Sequence, residues 1–176
     1  MQFIACRQVA RGVLVVVLLA AAFFVYGEDY LERDAFLDLA FDQAQPEMQT
    51  LWVTEDLRNA GEAAVGWMPR ALRLRYWQSG DSTAWILEHI GKEKPITLGI
   101  SISGDRLERV DVLAFRESRG WEIRYPFFTG QFQGLTLADD GYLSERVDGI
   151  TGATLSVRAV DRMTRLALWL NAQVRG

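Results

Sequence analysis

Two consecutive β-hairpin patterns constrain the fold of this chain more than any other feature of its sequence. Pro95–Ser103 (PITLGISIS) and Leu107–Phe115 (LERVDVLAF) are rich in β-forming residues, and the Gly-Asp pair between them is a strong hairpin turn. Arg70–Gln78 and Thr83–Ile90 alternate in the same way around a Ser-Gly-Asp turn. Consecutive hairpins predict an antiparallel sheet.

Helical periodicity flanks the predicted strands on both sides. Tyr30–Gln43 predicts a first helix closed by Pro46, Thr50–Val65 predicts a second, and Leu155–Val174 has the clearest pattern. The apolar stripe of this last helix is formed by Val160, Met163, Ala167 and Leu170, widened by Leu166 and Trp169. The order predicts an α+β fold, in which helices pack on a twisted antiparallel sheet and a C-terminal amphipathic helix closes the domain.

An uncharged apolar run, Gly12–Tyr26 (GVLVVVLLAAAFFVY), precedes the predicted domain. As a helix it spans about 22 Å, and about 27 Å if it begins at Val9, against a hydrocarbon core of about 30 Å. Arg7 and Arg11 place its start in the cytoplasm. We therefore expect residues 1–27 to be a single-pass anchor in the cytoplasmic membrane and residues 28–176 to face the periplasm or exterior. A cleaved signal peptide is the alternative.

Charge and rare residues exclude several classes of protein. Two of the 19 basic residues precede residue 28, which leaves 17 basic against 23 acidic residues in 28–176, a net charge of −6. An acidic domain without a clustered basic stripe is a poor ligand for a phosphate backbone, so we expect no nucleic-acid binding. With Cys6 the only cysteine and His89 the only histidine, we expect no disulfide, metal site or catalytic triad.

The segment Asp148–Thr154 (DGITGAT) runs directly into the last predicted helix. Small residues at positions 152 and 153 let a bulky group approach the backbone. The first helical turn offers unpaired N–H groups and the positive end of the dipole, which favour a phosphate. Thr154 places a hydroxyl there, and Ser156 adds a further donor. The alternative is an ordinary capped helix start, for which Thr151 or Thr154 suffices.

This pattern, Asp-x-x-Ser/Thr-Gly-Ala-Ser/Thr, resembles the flavinylation motif of FMN-binding domains. These occur in flavoprotein subunits of the sodium-translocating NADH:quinone reductase and the Rnf complex, and in stand-alone membrane-anchored proteins. In that family the final threonine carries FMN through a phosphoester bond made by an FAD:protein FMN transferase, with release of AMP. The resemblance implies covalent FMN on Thr154. It also implies cofactor or transferase contacts along the rest of the motif and its helix: Asp148, Gly149, Thr151, Gly152, Ala153 and Ser156.

A second stretch, Arg116–Arg124 (RESRGWEIR), is similar to a subset of the stand-alone proteins. In the large-complex subunits the comparable loop reads Glu-Thr-Pro-Gly and lies beside the flavin. This chain keeps the acid, the hydroxyl and the glycine and has arginine in place of proline. The resemblance implies cofactor contacts by Glu117, Ser118, Arg119 and Gly120.

Aromatic and arginine side chains after this loop are candidate ring contacts. Trp121, Phe127 or Phe128 would stack on the isoalloxazine, and Arg119 or Arg124 would stabilise its reduced, anionic form. The alternative is that the arginines pair with local acids and the aromatic side chains fill the core. We interpret Trp77 and Trp85, on the predicted strands, as core residues.

The function expected from these features is electron transfer. Covalent FMN would relay electrons at the outer face of the membrane to a membrane-embedded or extracytoplasmic redox partner. A Gly-rich dinucleotide loop is missing from the sequence, which argues against direct oxidation of NADH. Two alternatives stay open: a flavin-dependent reductase with its own substrate, and a non-redox anchored assembly or binding module.

Overall fold

The computed structural model describes residues 28–42 and 44–175. The predicted anchor and signal-peptide interpretations concern residues 1–27, which lie outside the described residues, as does Cys6. Within the described ranges, no helix combines the length and the apolar composition that a bilayer crossing requires.

A six-stranded antiparallel sheet, ordered β1-β6-β5-β4-β3-β2, forms the centre of the described chain. Its strands are β1 (Glu28–Asp29), β2 (Glu47–Trp52), β3 (Arg73–Ser79), β4 (Ser82–Ile90), β5 (Pro95–Ser103) and β6 (Arg106–Phe115). Its helices are α1 (Arg33–Ala40), α2 (Glu55–Val65), α3 (Pro126–Thr129) and α4 (Thr154–Arg175), with 3-10 turns at Trp121–Arg124 and Gly130–Phe132. The two predicted hairpins pair as β3 with β4 and β5 with β6, so the α+β prediction is confirmed.

Helix α4 covers one face of the sheet and supplies seven buried residues to the core on that side. Every member of the predicted stripe is fully buried: Val160, Met163, Ala167 and Leu170, together with Leu166. They pack with sheet residues such as Trp85, Leu98 and Ile100 in one hydrophobic cluster. At about 1.5–3 kcal/mol for each large side chain buried, this seam is a major source of stability. It also fixes where the first turn of α4 points.

Helix α1 covers part of the opposite face. The ring of Phe36 is completely buried and lies directly over Gly99 of β5, where an added Cβ would come within 2.7 Å of it. A smaller cluster forms there from Phe36, Ala40, Phe41, Ala84 and Leu113, with Trp77 packed against it. The sheet is therefore covered on both faces, which suits strands as apolar as β5.

The structure corrects the predicted helix boundaries near the start of the domain. Helix α1 ends at Ala40, and Asp42 adopts a left-handed φ of 47°, so Pro46 does not terminate it. The helix predicted from Thr50 was wrong over its first turn, because Glu47–Trp52 forms strand β2 at the sheet edge. Its outward residues are exposed and the rest only half-buried, so it lacks the strong alternation of a buried strand.

Candidate functional site

A cavity of about 600 Å³ opens at the first turn of α4. Its volume falls within the range of small-molecule sites in proteins. Residues from three separate loops line it: Lys92, Glu117, Ser118, Arg119, Gly152, Ala153, Thr154, Leu155 and Ser156. The two sequence segments predicted to form the site, the motif before α4 and the Glu117–Gly120 loop, are thus brought together although some thirty residues separate them.

The turn before α4 leaves the first residue of the helix exposed to the cavity. Gly152 adopts a φ of 84°, a left-handed conformation that glycine tolerates best. The N–H of Ala153 donates to the Ile150 carbonyl at 3.0 Å, and the Ala153 side chain is buried. Thr154 is then the first residue of α4, and its side chain is exposed toward the cavity.

Neither of the predicted caps is formed at this helix start. Among the described residues, the hydroxyls of Thr151 and Thr154 make no hydrogen bond to the protein. The first turn of α4 also contains no acidic residue. Its N–H groups and the positive end of its dipole therefore face the cavity without a countercharge from the helix itself, which is the arrangement that binds anions.

Gly120 joins the second loop to the start of α4. Its φ is 87°, and an added Cβ would lie 2.7 Å from Ser156 Oγ and 3.2 Å from the Cβ of Ala153. Ser156, one turn into the helix, is buried by this contact. Gly120 and Ser156 therefore act first as packing residues that hold the two walls of the cavity together, and no other residue fits at position 120 without displacement.

The carboxylate of Glu117 organises a third loop, the turn between β4 and β5. Glu117 Oε1 accepts hydrogen bonds from the N–H groups of Lys92, Glu93 (2.6 Å) and Lys94 (2.9 Å). Burial raises the pKa of Glu117, but these three backbone donors outweigh it and lower the pKa below its ordinary value. Glu117 lines the cavity, yet one of its oxygens is committed to positioning the turn.

Lys92 is the charged site residue that the sequence prediction missed, and Leu155, which also lines the cavity, was predicted only as the start of the helix. Lys92 enters the cavity because Glu117 holds its backbone, and Gly91 makes room for that contact: an added Cβ there would lie 2.9 Å from Glu117 Oε1. Lys92 and Arg119, both exposed, bring two cationic side chains to the cavity. The only available signal was that Lys92 and Lys94 are the only lysines in the chain.

Three predicted motif residues lie outside the cavity lining. Asp148, Gly149 and Thr151 are exposed in the turn that leads to Gly152. The backbone N–H of Asp148 donates to Gln131 Oε1 at 2.8 Å, so the turn is fastened to the segment after α3. These three residues therefore do not form part of the cavity wall.

The predicted aromatic ring contacts are largely corrected by the structure. Phe128 is fully buried and packs edge-to-face on Phe132, with ring centroids 5.5 Å apart, so it belongs to the core and cannot stack on a ligand. Phe127 and Trp121 are exposed and do not line the cavity. Arg124 lies over the rings of Tyr30, Trp121 and Tyr125.

The interpretation of the two strand tryptophans as core residues agrees with the structure. Trp85 is fully buried and stacks on Tyr76 with ring centroids 4.7 Å apart. Trp77 is half-buried beneath α1. His89 is half-buried on β4 with its ring against Trp67, and among the described residues no cluster of His, Cys, Asp or Glu has the grouping of a metal site.

A family model for FMN-binding domains matches residues 91–169 of the chain. The matched region begins at the turn that carries Lys92, contains the Glu117–Gly120 loop and the DGITGAT motif, and ends within α4. This stretch, 79 of the 176 residues, is similar to FMN-binding domains. Comparison with curated proteins and comparison with solved structures gave no significant match.

The residues of the cavity fit FMN. Its phosphate requires cationic partners and N–H donors, which are provided by Lys92, Arg119 and the uncapped first turn of α4. The cavity volume of about 600 Å³ accommodates a ligand of cofactor size beside them. Leu155, 43% exposed at the rim, adds apolar surface for a ring system.

Proposed function

We propose that this FMN-binding domain carries its cofactor covalently, through a phosphoester bond to Thr154 Oγ1. The main support is that the Thr154 hydroxyl is accessible and makes no hydrogen bond to the described residues. It lies at the first residue of a long helix and lines the cavity. A phosphate attached there would lie at the positive end of the α4 dipole.

Attachment at Thr154 requires an external enzyme in this proposal. The only carboxylate lining the cavity is Glu117, whose lowered pKa and three N–H contacts make it a weak base. The Thr154 hydroxyl is therefore activated by a partner, an FAD:protein FMN transferase. The Oγ1–P bond forms as the pyrophosphate P–O bond of FAD breaks, AMP leaves, and the hydroxyl proton passes to the transferase or solvent.

We further propose that the domain is an electron carrier. Bound flavin accepts and donates electrons singly or in pairs, so it can link donors and acceptors of different stoichiometry. The contribution of the chain is to hold the phosphate, to place Lys92 and Arg119 beside a site that gains negative charge, and to leave one side of the cavity open. His89 does not line the cavity, and Glu117 Oε1 is bonded to the turn that carries Lys92, which favours an electron carrier over a reductase that protonates its own substrate.

The proposed location is the outer face of the cytoplasmic membrane, with residues 1–27 as a single-pass anchor and the domain outside. A covalent bond would prevent loss of the cofactor in a compartment without a flavin supply. The redox partner in this proposal is membrane-embedded or extracytoplasmic. The support is the uncharged Gly12–Tyr26 run after Arg7 and Arg11.

Co-expression with an FAD:protein FMN transferase tests the attachment. The wild-type chain should gain in-gel flavin fluorescence and a mass increment of FMN less one water, only when the transferase is present. Cleavage after Arg146 and Arg158 yields one peptide that contains every candidate hydroxyl of the motif, and its fragmentation should place the increment on Thr154. Thr154→Ala should abolish labelling, whereas Thr154→Ser should retain it.

Two exposed neighbours provide controls. Thr151→Ser, three residues before the proposed site, keeps the hydroxyl of the motif and should leave labelling unchanged. Asp148→Ala should lower labelling without lowering the free energy of unfolding by more than about 0.5 kcal/mol, as for other surface substitutions. An adduct that persists in Thr154→Ala, or a wild-type chain that stays unlabelled beside an active transferase, would refute covalent attachment at this residue.

A further inference from the structure

An exposed aromatic surface lies beside the FMN cavity and has no role in the proposed cofactor site. We define it by five residues: Tyr30, Trp121, Arg124, Tyr125 and Phe127. Trp121, Tyr125 and Phe127 are 43%, 38% and 63% exposed, although they are large and fall within seven residues of one another. Adjacent rings are in contact, with centroids 5.6 Å and 6.2 Å apart, so the exposed area is continuous.

The cation in this surface is embedded among the rings. The Arg124 guanidinium lies 4.4 Å from the ring centroid of Tyr30, 5.1 Å from that of Tyr125 and 5.3 Å from that of Trp121. Such contacts keep the arginine close to an apolar surface while its charge stays accessible. Tryptophan, tyrosine and a snorkelling arginine together have the composition of the membrane–water interface, where one end of each side chain is apolar and the other is hydrated.

The path of the chain places this surface close to the apolar segment. Strand β1 pairs with the end of β6 at Phe115, and the Tyr30 N–H donates to the Leu113 carbonyl at 2.7 Å, which fixes Tyr30 against the sheet edge. Only four residue steps separate Tyr26, the last residue of the apolar run, from Tyr30. Four fully extended residues span at most about 14 Å. The headgroup layer on each side of a bilayer is itself roughly 5–8 Å thick.

We propose that the aromatic surface lies in the interfacial layer of the bilayer that holds residues 12–26, and so seats the domain on the membrane in one orientation. The inference rests on the proposed anchor. Glu117 lines both the FMN cavity and a second cavity of about 450 Å³ beneath the aromatic surface. The seated domain therefore holds its FMN cavity next to the membrane, within reach of a membrane-embedded partner.

The opposite edge of the sheet provides an internal comparison. Strand β2 is the last strand in the order β1-β6-β5-β4-β3-β2, five strand spacings from β1, or about 24 Å. Trp52 on this strand is 64% exposed, as exposed as Phe127. Because each edge has an exposed aromatic residue, the environments of positions 127 and 52 can be compared to determine which edge faces the membrane.

Site-directed spin labelling of the full chain tests the orientation. A Cys6→Ser background removes the only cysteine, and Phe127→Cys or Trp52→Cys introduces one labelling site. Each chain is co-expressed with the transferase and reconstituted into phosphatidylcholine vesicles. Collision of the label with oxygen, which concentrates in lipid, is compared with collision with a water-soluble nickel chelate. Both positions are exposed, so neither substitution opens the core.

The expected result is a several-fold higher ratio of oxygen to nickel collision at position 127 than at position 52. Equal, water-like ratios at both positions in vesicle-bound protein would overturn the seating proposal and would leave the aromatic surface to a protein partner. Protein that does not float with the vesicles would overturn both the anchor and the seating. The mass of the FMN adduct, measured on the same samples, separates either failure from a failure of attachment at Thr154.

Discussion

Two helices of the domain have a threonine at their N-terminal end, and the hydroxyls of the two threonines differ in their hydrogen bonding. Thr54 precedes α2 with an extended backbone, and its Oγ1 accepts the Leu57 N–H at 3.2 Å, which is an ordinary N-cap. Thr154 is the first residue within α4, and its hydroxyl bonds to no described residue. Glu55 and Asp56 follow Thr54 in the first turn of α2, whereas the first turn of α4 has no acid.

The difference shows how a helix start becomes a ligand site. At α2 the Thr54 hydroxyl accepts one orphan N–H group, and Glu55 and Asp56 place negative charge at the positive end of the dipole, so an anion would gain less there. At α4 both are left unsatisfied, and the turn is held instead by tertiary contacts from Gly120 and Gln131. A threonine before an amphipathic helix is therefore ambiguous by itself. The side chains of the following turn decide which kind of start it is.

The largest expected effect comes from breaking the contact that holds the α4 start in place. Gly120→Ala should lower the free energy of unfolding by about 1–2 kcal/mol for the left-handed backbone and by about 1–3 kcal/mol for the clash with Ser156. FMN labelling should fall with it. Gly130→Ala, at a φ of −65° with open space around it, should be nearly neutral. Chemical denaturation of both variants checks this, and equal stability would mean that Gly120 does not anchor the helix start.

Giving α4 the acidic first turn of α2 should reduce FMN labelling by roughly two- to fivefold, because one charge near a helix terminus is worth about 0.3–1 kcal/mol. Leu155→Asp makes this change at a position that is 43% exposed. The same charge should stabilise the unlabelled domain, so stability and labelling should move in opposite directions. Leu155→Asn, similar in shape and uncharged, is the control. If Leu155→Asn reduces the initial labelling rate as much as Leu155→Asp, the reduction is caused by removal of the leucine side chain and not by the added charge.

Removing the cap of α2 should lower stability alone. Thr54→Ala should cost about 1 kcal/mol, the typical value for an N-cap, and should leave FMN labelling unchanged. Thr54→Asp keeps a capping oxygen and should retain most of the stability. Thermal unfolding together with labelling measures both quantities. A drop in labelling with Thr54→Ala would show that the two helix N-termini are coupled. The two helix N-termini could then not be treated as independent.

The smallest change in the free energy of unfolding at neutral pH is expected for Glu117→Gln. Glutamine keeps an acceptor oxygen for the backbone N–H groups of the turn that carries Lys92. The pKa of Glu117 is lowered in the folded state, so its contribution to stability is present above the ordinary carboxyl pKa of about 4.5 and is lost as the pH falls through the folded value. Wild type should therefore approach the variant in stability as the pH falls from about 6 to 3. Denaturation curves across this range, with Glu108→Gln as a control for loss of one exposed carboxylate, test it. A gap that stays constant with pH would mean that the charge of Glu117 does not hold the turn.

Much of the fold could be predicted because its central elements have strong, local patterns. Pro95–Ser103 is found with the predicted bounds, and α4 extends the predicted Leu155–Val174 by one residue at each end. Strand β2 could not be recognised in the same way. It lies at the sheet edge with only half-buried inward residues, so its hydrophobic alternation is weak and the helix-forming residues after it dominated the prediction.

The candidate site could be predicted only where it is contiguous in sequence. The motif before α4 and the Glu117–Gly120 loop were both recognised as patterns, and both line or support the cavity. Lys92 is brought to the cavity by the long-range hydrogen bonds of Glu117, 25 residues away, which no local pattern reports. For the same reason the sequence left Phe128 open between stacking on a ligand and filling the core, because its burial against Phe132 depends on packing rather than on composition.

The position of α4 in the sequence has a consequence for how the protein is made. This helix follows every strand, so the sheet face that contains Trp85, Leu98 and Ile100 has no cover until the last segment of the domain has been synthesised and, in the proposed location, exported. Its first turn takes shape only when its apolar stripe docks on that face. In the proposed function, Thr154 therefore becomes available to the transferase late, and FMN is attached only to a domain that has already folded.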